Sequence, residues 1–170
     1  MASLRLGVAF VLFCWPADPA WAVGPTTRIV ITAPSLSAPV EVTDAEQMGA
    51  FLVWAGPGVR VNGQERLQGF IIDWPAGVVT QRPAGLPRYE VSFYVKHANR
   101  SLASQPEELA YVVWYETDSS SGRGYVYLPG KGDDGYTLNT RSIVRGREGH
   151  WYFATSAWHE VATVWIRRGR

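Results

Sequence analysis

The stretch Arg88-Tyr-Glu-Val-Ser-Phe-Tyr-Val-Lys96 decides the fold, because Tyr89, Val91, Phe93 and Val95 alternate with Glu90, Ser92, Tyr94 and Lys96. A repeat of two residues is the side-chain period of a strand with one buried and one wet face. Two further strand-like runs follow, Leu109 to Glu116 and Gly124 to Leu128, separated by the turn-rich Thr117-Asp-Ser-Ser-Ser-Gly-Arg123. Together they predict an antiparallel meander. The middle run is apolar at both parities, with Tyr111, Val113 and Tyr115 on one side and Val112 and Trp114 on the other. That pattern suits a central strand covered on both faces.

On the N-terminal side, Arg28-Ile-Val-Ile-Thr32 and Val40-Glu-Val42 flank a loop bracketed by Pro34 and Pro39, which predicts a hairpin. Thr43-Asp-Ala-Glu46 has the form of a capping box. Met48, Phe51, Leu52 and Ala55 then follow at helical spacing before Gly56-Pro-Gly58, so a short amphipathic helix is expected over residues 44–55. Between Val59 and Pro87 only Gly69 to Asp73 and Val78 to Thr80 have strand character, with a turn at Trp74-Pro75. Residues 98–107 are too long for a tight hairpin turn.

On the C-terminal side, Gly130 to Gly135 is a polar loop and His150 to Phe153 a last strand. In the tail, Trp158, Val161, Ala162 and Trp165 stand at helical spacing, and Arg167 and Arg168 at its end suit the helix dipole. The β-branched Val161, Thr163, Val164 and Ile166 leave a strand as the alternative over 156–168. The fold class is α+β: an antiparallel sheet with a short helix after the first hairpin and a helix at the C-terminus.

Met1 to Ala22 has the three parts of a secretory signal: Arg5, the apolar run Leu6 to Trp15, and Ala20-Trp21-Ala22 as a small-x-small cleavage site. The apolar run is shorter than the ~20 residues a membrane span needs. The expectation is cleavage after Ala22, a single domain over 23–170, and a secreted or periplasmic location. The only cysteine, Cys14, leaves with the signal, so the mature domain depends on its core and not on disulfides. A net charge of +1 provides no field for nucleic acid or an anionic membrane, and neither is expected as a partner. Asn99-Arg-Ser101 matches the glycosylation sequon, which carries weight only in a eukaryotic source.

Motifs that would carry chemistry are absent. His159-Glu160 begins like a zinc-binding HExxH, but Thr163 stands where the second histidine belongs. His97 and His150 stand alone, and Asp133-Asp134-Gly135 lacks the alternating oxygens and closing Glu of a calcium loop. Gly124 to Lys131 has the wrong spacing for a phosphate loop, and Ser119, Ser120 and Ser121 sit in no nucleophile elbow. Glu90, Glu107, Glu108 and Glu116 remain as carboxylates that could pair for glycoside chemistry. No catalytic residue, metal or cofactor is assigned.

The one compositional excess is aromatic: six of the eight tryptophans lie after Ala22. Tyr94, Trp114, Tyr125 and Tyr127 fall on the sheet face opposite the first, where flat rings can stack on sugars or on a partner's apolar surface. They are the candidate ligand-binding residues. The competing expectation, favoured by the position of Trp114 in the most apolar strand, is that the two helices cover that face and make the rings core.

At Ile29-Val-Ile-Thr32, Pro39-Val-Glu-Val-Thr-Asp44, Gly85-Leu-Pro-Arg-Tyr-Glu-Val-Ser-Phe-Tyr-Val95 and Tyr125-Val-Tyr-Leu-Pro-Gly130 the chain resembles uncharacterised bacterial exported proteins with no assigned activity. The resemblance implies a bacterial exported domain and assigns no functional residue. The expected function is a non-enzymatic binding or accessory domain acting on a protein or glycan at the cell surface. The alternative is a small extracytoplasmic hydrolase of glycans or cell-wall material.

Overall fold

The computed structural model describes residues 26–50, 60–61, 64–65, 71–96, 106–142 and 146–170. The expected signal segment, the helical positions 51–55, His97 and the Asn99 sequon lie outside the described residues. The described chain is α+β. Strands β1 (Thr26–Thr32), β2 (Val40–Val42), β5 (Arg88–Val95), β6 (Glu108–Asp118), β7 (Arg123–Leu128) and β8 (His150–Phe153) form one antiparallel sheet in the order β2-β1-β5-β6-β7-β8. The predicted hairpin is β1–β2, with Ile29 opposite Val42 and Ile31 opposite Val40. The predicted meander is β5–β6–β7, and the last predicted strand extends it as β8. A separate two-stranded ribbon, β3 (Arg60–Val61) with β4 (Gln64–Glu65), was not foreseen.

Alternation along each strand gives the sheet an inner and an outer face. Inside, Tyr89, Val91 and Phe93 of β5 meet Tyr115, Val113 and Tyr111 of β6 across the ladder, and all six are buried. Two helices cover this inner face. The tail forms α3 (Ser156–Gly169), so the helical reading prevails over the strand, and Trp158, Ala162, Trp165 and Ile166 are its buried side. Its N-cap is Thr155, whose hydroxyl oxygen accepts from the Trp158 amide at 3.1 Å. Trp158 is fully buried and contacts Phe93, Tyr115 and Trp165 with ring centroids 6.2, 5.9 and 5.9 Å away.

The first helix, α1 (Ala45–Ala50), begins one residue later than the capping box places it. Asp44 is the cap instead of Thr43: its Oδ1 accepts from the amides of Glu46 and Gln47, each at 3.0 Å, and its carbonyl accepts from Met48 at 2.9 Å. A carboxylate next to a hydroxyl is the stronger acceptor, and its charge suits the positive end of the helix. Met48 enters the core, and Gln47 Oε1 accepts from Trp165 Nε1 at 3.1 Å, tying α1 to α3.

Of the expected strands around Trp74, the described residues carry only single bridges, Ile72 to Ala154 and Val78 to Tyr152, on either side of a 3₁₀ turn at Trp74–Ala76. This segment runs along the edge of β8 away from β7, with Asp73 and Val79 amides donating to Phe153 and Trp151 carbonyls. A third helix, α2 (Tyr136–Ser142), was not foreseen. Its role follows from the β6–β7 ladder, which pairs Trp114 with Tyr127 and, continued by two residues, would set Val112 opposite Pro129. Proline has no amide to donate, and β7 stops before it. Asn139 of α2 takes the vacant place: its Oδ1 accepts from the Val112 amide at 2.9 Å and its Nδ2 donates to the Val112 carbonyl at 2.6 Å.

Two outcomes follow. Asp44→Ala should lower stability by ~1 kcal/mol through loss of the cap, while Thr43→Ala leaves the denaturant midpoint unchanged. Asn139→Ala strands both polar groups of Val112 and should cost ~2–3 kcal/mol in the same unfolding measurement.

Candidate functional site

Because α1 and α3 both lie inside, the expectation that they cover the outer face does not hold. Three rings from three neighbouring strands form a row there. Trp114 stacks on Tyr127 with centroids 4.9 Å apart and planes 22° from parallel, and Tyr127 contacts Trp151 at 5.0 Å and 38°. The order of the row is dictated by pairing, since Tyr127 is opposite Trp114 on one side and Trp151 on the other. All three rings are half-buried.

Polar groups fix the rings in place. The Tyr127 hydroxyl donates to Asp133 Oδ2 at 2.8 Å, and the Gly130 amide donates to the same oxygen at 2.8 Å. Burial, helped by the Asp133 carboxylate, pushes the Tyr127 phenol above its usual range, so it stays a donor. Arg82 lies over Trp151 with its guanidinium carbon 3.9 Å from the ring centroid. Arg88 reaches both ends of the row, 4.8 Å from Trp114 and 5.7 Å from Trp151. Both arginines are held by Glu116, whose side chain is 2% exposed: Arg88 Nε donates to Oε1 at 2.9 Å and Arg82 to Oε2. A buried carboxylate is stable here because both of its oxygens are met by guanidinium donors.

The four candidate residues separate into three places. Trp114 and Tyr127 come together in the ring row. Tyr125 shares their face but is buried at 4% exposure, against Phe153 at 5.6 Å. Tyr94 is at the far end, under the Arg28 guanidinium at 4.0 Å, and about 17 Å from Trp114, as five residues of strand separate Trp114 from the Leu109 that pairs with Tyr94. Trp151, Arg82 and Arg88 were missed. The shared parity of Trp151 and Phe153 in His150-Trp-Tyr-Phe153 is a signal that could have found the first, once β8 is placed beside β7.

A concavity of about 530 Å³ opens where β7 and β8 meet the first turn of α3. Asp73, Arg123, Phe153, Ser156, His159 and Glu160 line it. The His159 ring packs so closely on β7 that a Cβ at position 124 would fall 2.7 Å from its Nδ1 and 2.8 Å from Tyr115 Cε2, which is why Gly124 stands there. His159 Nδ1 is 2.7 Å from the Tyr115 hydroxyl. Burial pushes the Tyr115 phenol well above its usual range and holds the imidazole below its own, against an opposing pull from Glu160. A neutral imidazole can accept from the Tyr115 hydroxyl at Nδ1, an arrangement that leaves its own proton on Nε2.

Several of the other candidates have structural partners. Glu107 accepts from Arg28 Nε at 2.8 Å; burial alone would raise its pKa, but the Arg28 hydrogen bond and charge bring it below the ordinary value. Glu108 and Glu116 sit eight residues apart on one strand, about 27 Å, too far to act as an acid–base pair. Ser120 and Ser121 donate to Asp118 from the β6–β7 turn, each at 2.6 Å, and these bonds lower the Asp118 carboxyl to about 2. Among the described residues no group of three His, Cys, Asp or Glu is placed to hold a metal, and no helix is long and apolar enough to cross a membrane.

The sign of a pH dependence at His159 follows from its lowered folded pKa. The imidazole's contribution is complete above the ordinary value near 6.5, and it falls as pH drops through the lower folded value, because the unfolded chain takes up the proton first. The difference in unfolding free energy between the wild type and His159→Gln should therefore shrink on acidification from neutral pH. A difference that stays constant with pH would contradict the neutral, Tyr115-bound imidazole. No protein-family model, no curated protein and no solved structure matches the chain, so the reading of its site rests on its own geometry.

Proposed function

We propose that this chain is an exported binding domain that presents the Trp114–Tyr127–Trp151 row to a glycan surface outside the cytoplasm. The supporting observation is that three half-exposed rings are stacked in one row and fixed by partners of their own: Asp133 for Tyr127, and the Glu116-held arginines for the two tryptophans. Preorganised rings lose little freedom on binding, and half-exposed ring edges beside two guanidinium groups can meet the C–H groups and hydroxyls of a sugar together. The extracytoplasmic placement rests on the signal pattern of residues 1–22.

A non-enzymatic role is favoured by the state of three of the four carboxylates considered for glycoside chemistry, the fourth, Glu90, being exposed opposite Trp114 in the ladder. Glu116 has both oxygens engaged by arginine, Glu107 is paired with Arg28, and Glu108 lies at the distant end of β6. The row also offers a surface and not a chamber, as a domain that holds a polymer without cleaving it requires.

The test is depletion of the purified mature protein from solution by insoluble chitin and cellulose. Wild type should be retained, and Trp114→Ala and Trp151→Ala should each weaken retention by about tenfold. Half-exposed rings contribute less to the core than buried ones, so thermal unfolding of Trp114→Ala should fall by only ~2–4 °C. Loss of more than ~3 kcal/mol in Trp114→Ala, with retention unchanged, would return the ring to a purely structural role.

A further inference from the structure

The His159 groove opens at the end of β7 and β8, where Phe153 from the outer face and His159 from the inner face both border it. Trp151 and Phe153 are two residues apart on β8, so they share the outer face at a spacing of about 7 Å, and Phe153 is a wall of the groove. Arg123 stands beside it with its guanidinium carbon 5.3 Å from the Phe153 centroid. The volume of about 530 Å³ is within the ~300–1,000 Å³ usual for small-molecule sites.

The lining selects the ligand by elimination. An apolar molecule would desolvate Asp73, Arg123 and Glu160 with nothing in return. A simple anion would meet two carboxylates, and a simple cation would meet a guanidinium beside the His159 imidazole. A neutral ring that carries alternating C–H faces and hydroxyls satisfies all of them. Its hydroxyls donate to Asp73 and Glu160, its oxygens accept from Arg123, Ser156 and His159, and its C–H face rests on Phe153. Planar carboxylate and guanidinium groups are also the ones that can engage two neighbouring hydroxyls at once.

We infer that the groove between β7, β8 and the start of α3 is a subsite for one neutral sugar unit, with Arg123 and His159 as its hydrogen-bond donors. The inference rests on the glycan reading of the ring row and adds a specific, polar contact to a sequence-tolerant stacking surface. Tyr115 is a positioning residue: it takes no part in the contact, but its hydroxyl keeps the imidazole proton on the side that can donate.

The experiment titrates the mature protein with chitohexaose and with cellohexaose while the His159 imidazole is followed by NMR, alongside the depletion assay on chitin and cellulose. The expected result is a shift of the His159 ring resonances by one of the hexasaccharides, with binding weakened about tenfold in Arg123→Ala. Arg123 is exposed on the β6–β7 turn side of β7, so this variant keeps its fold. Tyr115→Phe should bind the hexasaccharide more weakly and show a changed His159 tautomer in the nitrogen shifts, a readout that loss of packing alone would not move. If hexasaccharide and polymer both bind, Trp151→Ala abolishes it and neither the His159 resonances nor Arg123→Ala matters, the subsite is refuted and the ring row stands. If no polymer or hexasaccharide binds, both are refuted.

Discussion

The structure depends on the burial of Trp158 and the side of α3 that carries it. Four strand spacings separate β7 from β2, about 19 Å, and a helix of fourteen residues is about 21 Å long. The helix uses that length: its first turns meet β7 through His159 and Gly124, and its end meets β2 and the loop before it, where the Ser37 hydroxyl donates to the Gly169 carbonyl. A Cβ at Gly169 would fall 2.3 Å from Val40 Cγ2, a measure of how closely the helix closes on the hairpin. One helix laid across five strands therefore buries most of the inner face, where large aromatic side chains, each burying more area than an aliphatic one, pack among the Ile and Val of the strands.

A chain that commits both terminal helices to one face leaves the other to be held by different means. On the outer face the work of packing passes to planar groups: guanidinium over indole, indole over phenol, and one buried carboxylate that fastens two arginines from separate segments. Arg82 belongs to the segment that runs past β8, and Arg88 opens β5, so Glu116 ties the sheet's margin to its middle. Cation–π contacts and forked ion pairs orient rings more strictly than aliphatic packing does, at the cost of burying a charge. The outcome is a surface that is both accessible and stiff.

How much of this was legible depended on range in sequence. The alternation in Arg88 to Lys96, the β-branched runs of the hairpin and the Trp158–Trp165 spacing are local, and each predicted element is present. Helix α2 was not legible, because Tyr136 to Ser142 has poor helix formers and no apolar stripe; what stabilises it is a hydrogen-bonded pair with Val112, 27 residues away. Asp44 outcompeted Thr43 at the first helix because neighbouring acceptors compete, and a pattern match cannot rank them. At the site, Trp114 and Tyr127 were visible as members of one face, while Trp151, the two arginines and the Tyr115–His159 contact are brought in by pairings between distant segments. His159 was read only as a failed metal motif, since nothing local marks a residue that a strand glycine makes room for.

The Asn139–Val112 contact also bears on how the chain finds its native alignment. Sliding β7 along β6 by one residue would exchange its faces, and the core would reject it; sliding it by two would keep every ring on its own side, so hydrophobicity is nearly blind to the error. Such a slip toward β7's end would set Pro129 against Trp114, where a donor is required, and would pull Asn139 away from Val112. Together with the Asp118 turn, a proline and a carboxamide thus act as a detent for the strand. The alignment of three aromatic rings in a single row is secured by an atom pair that touches none of them.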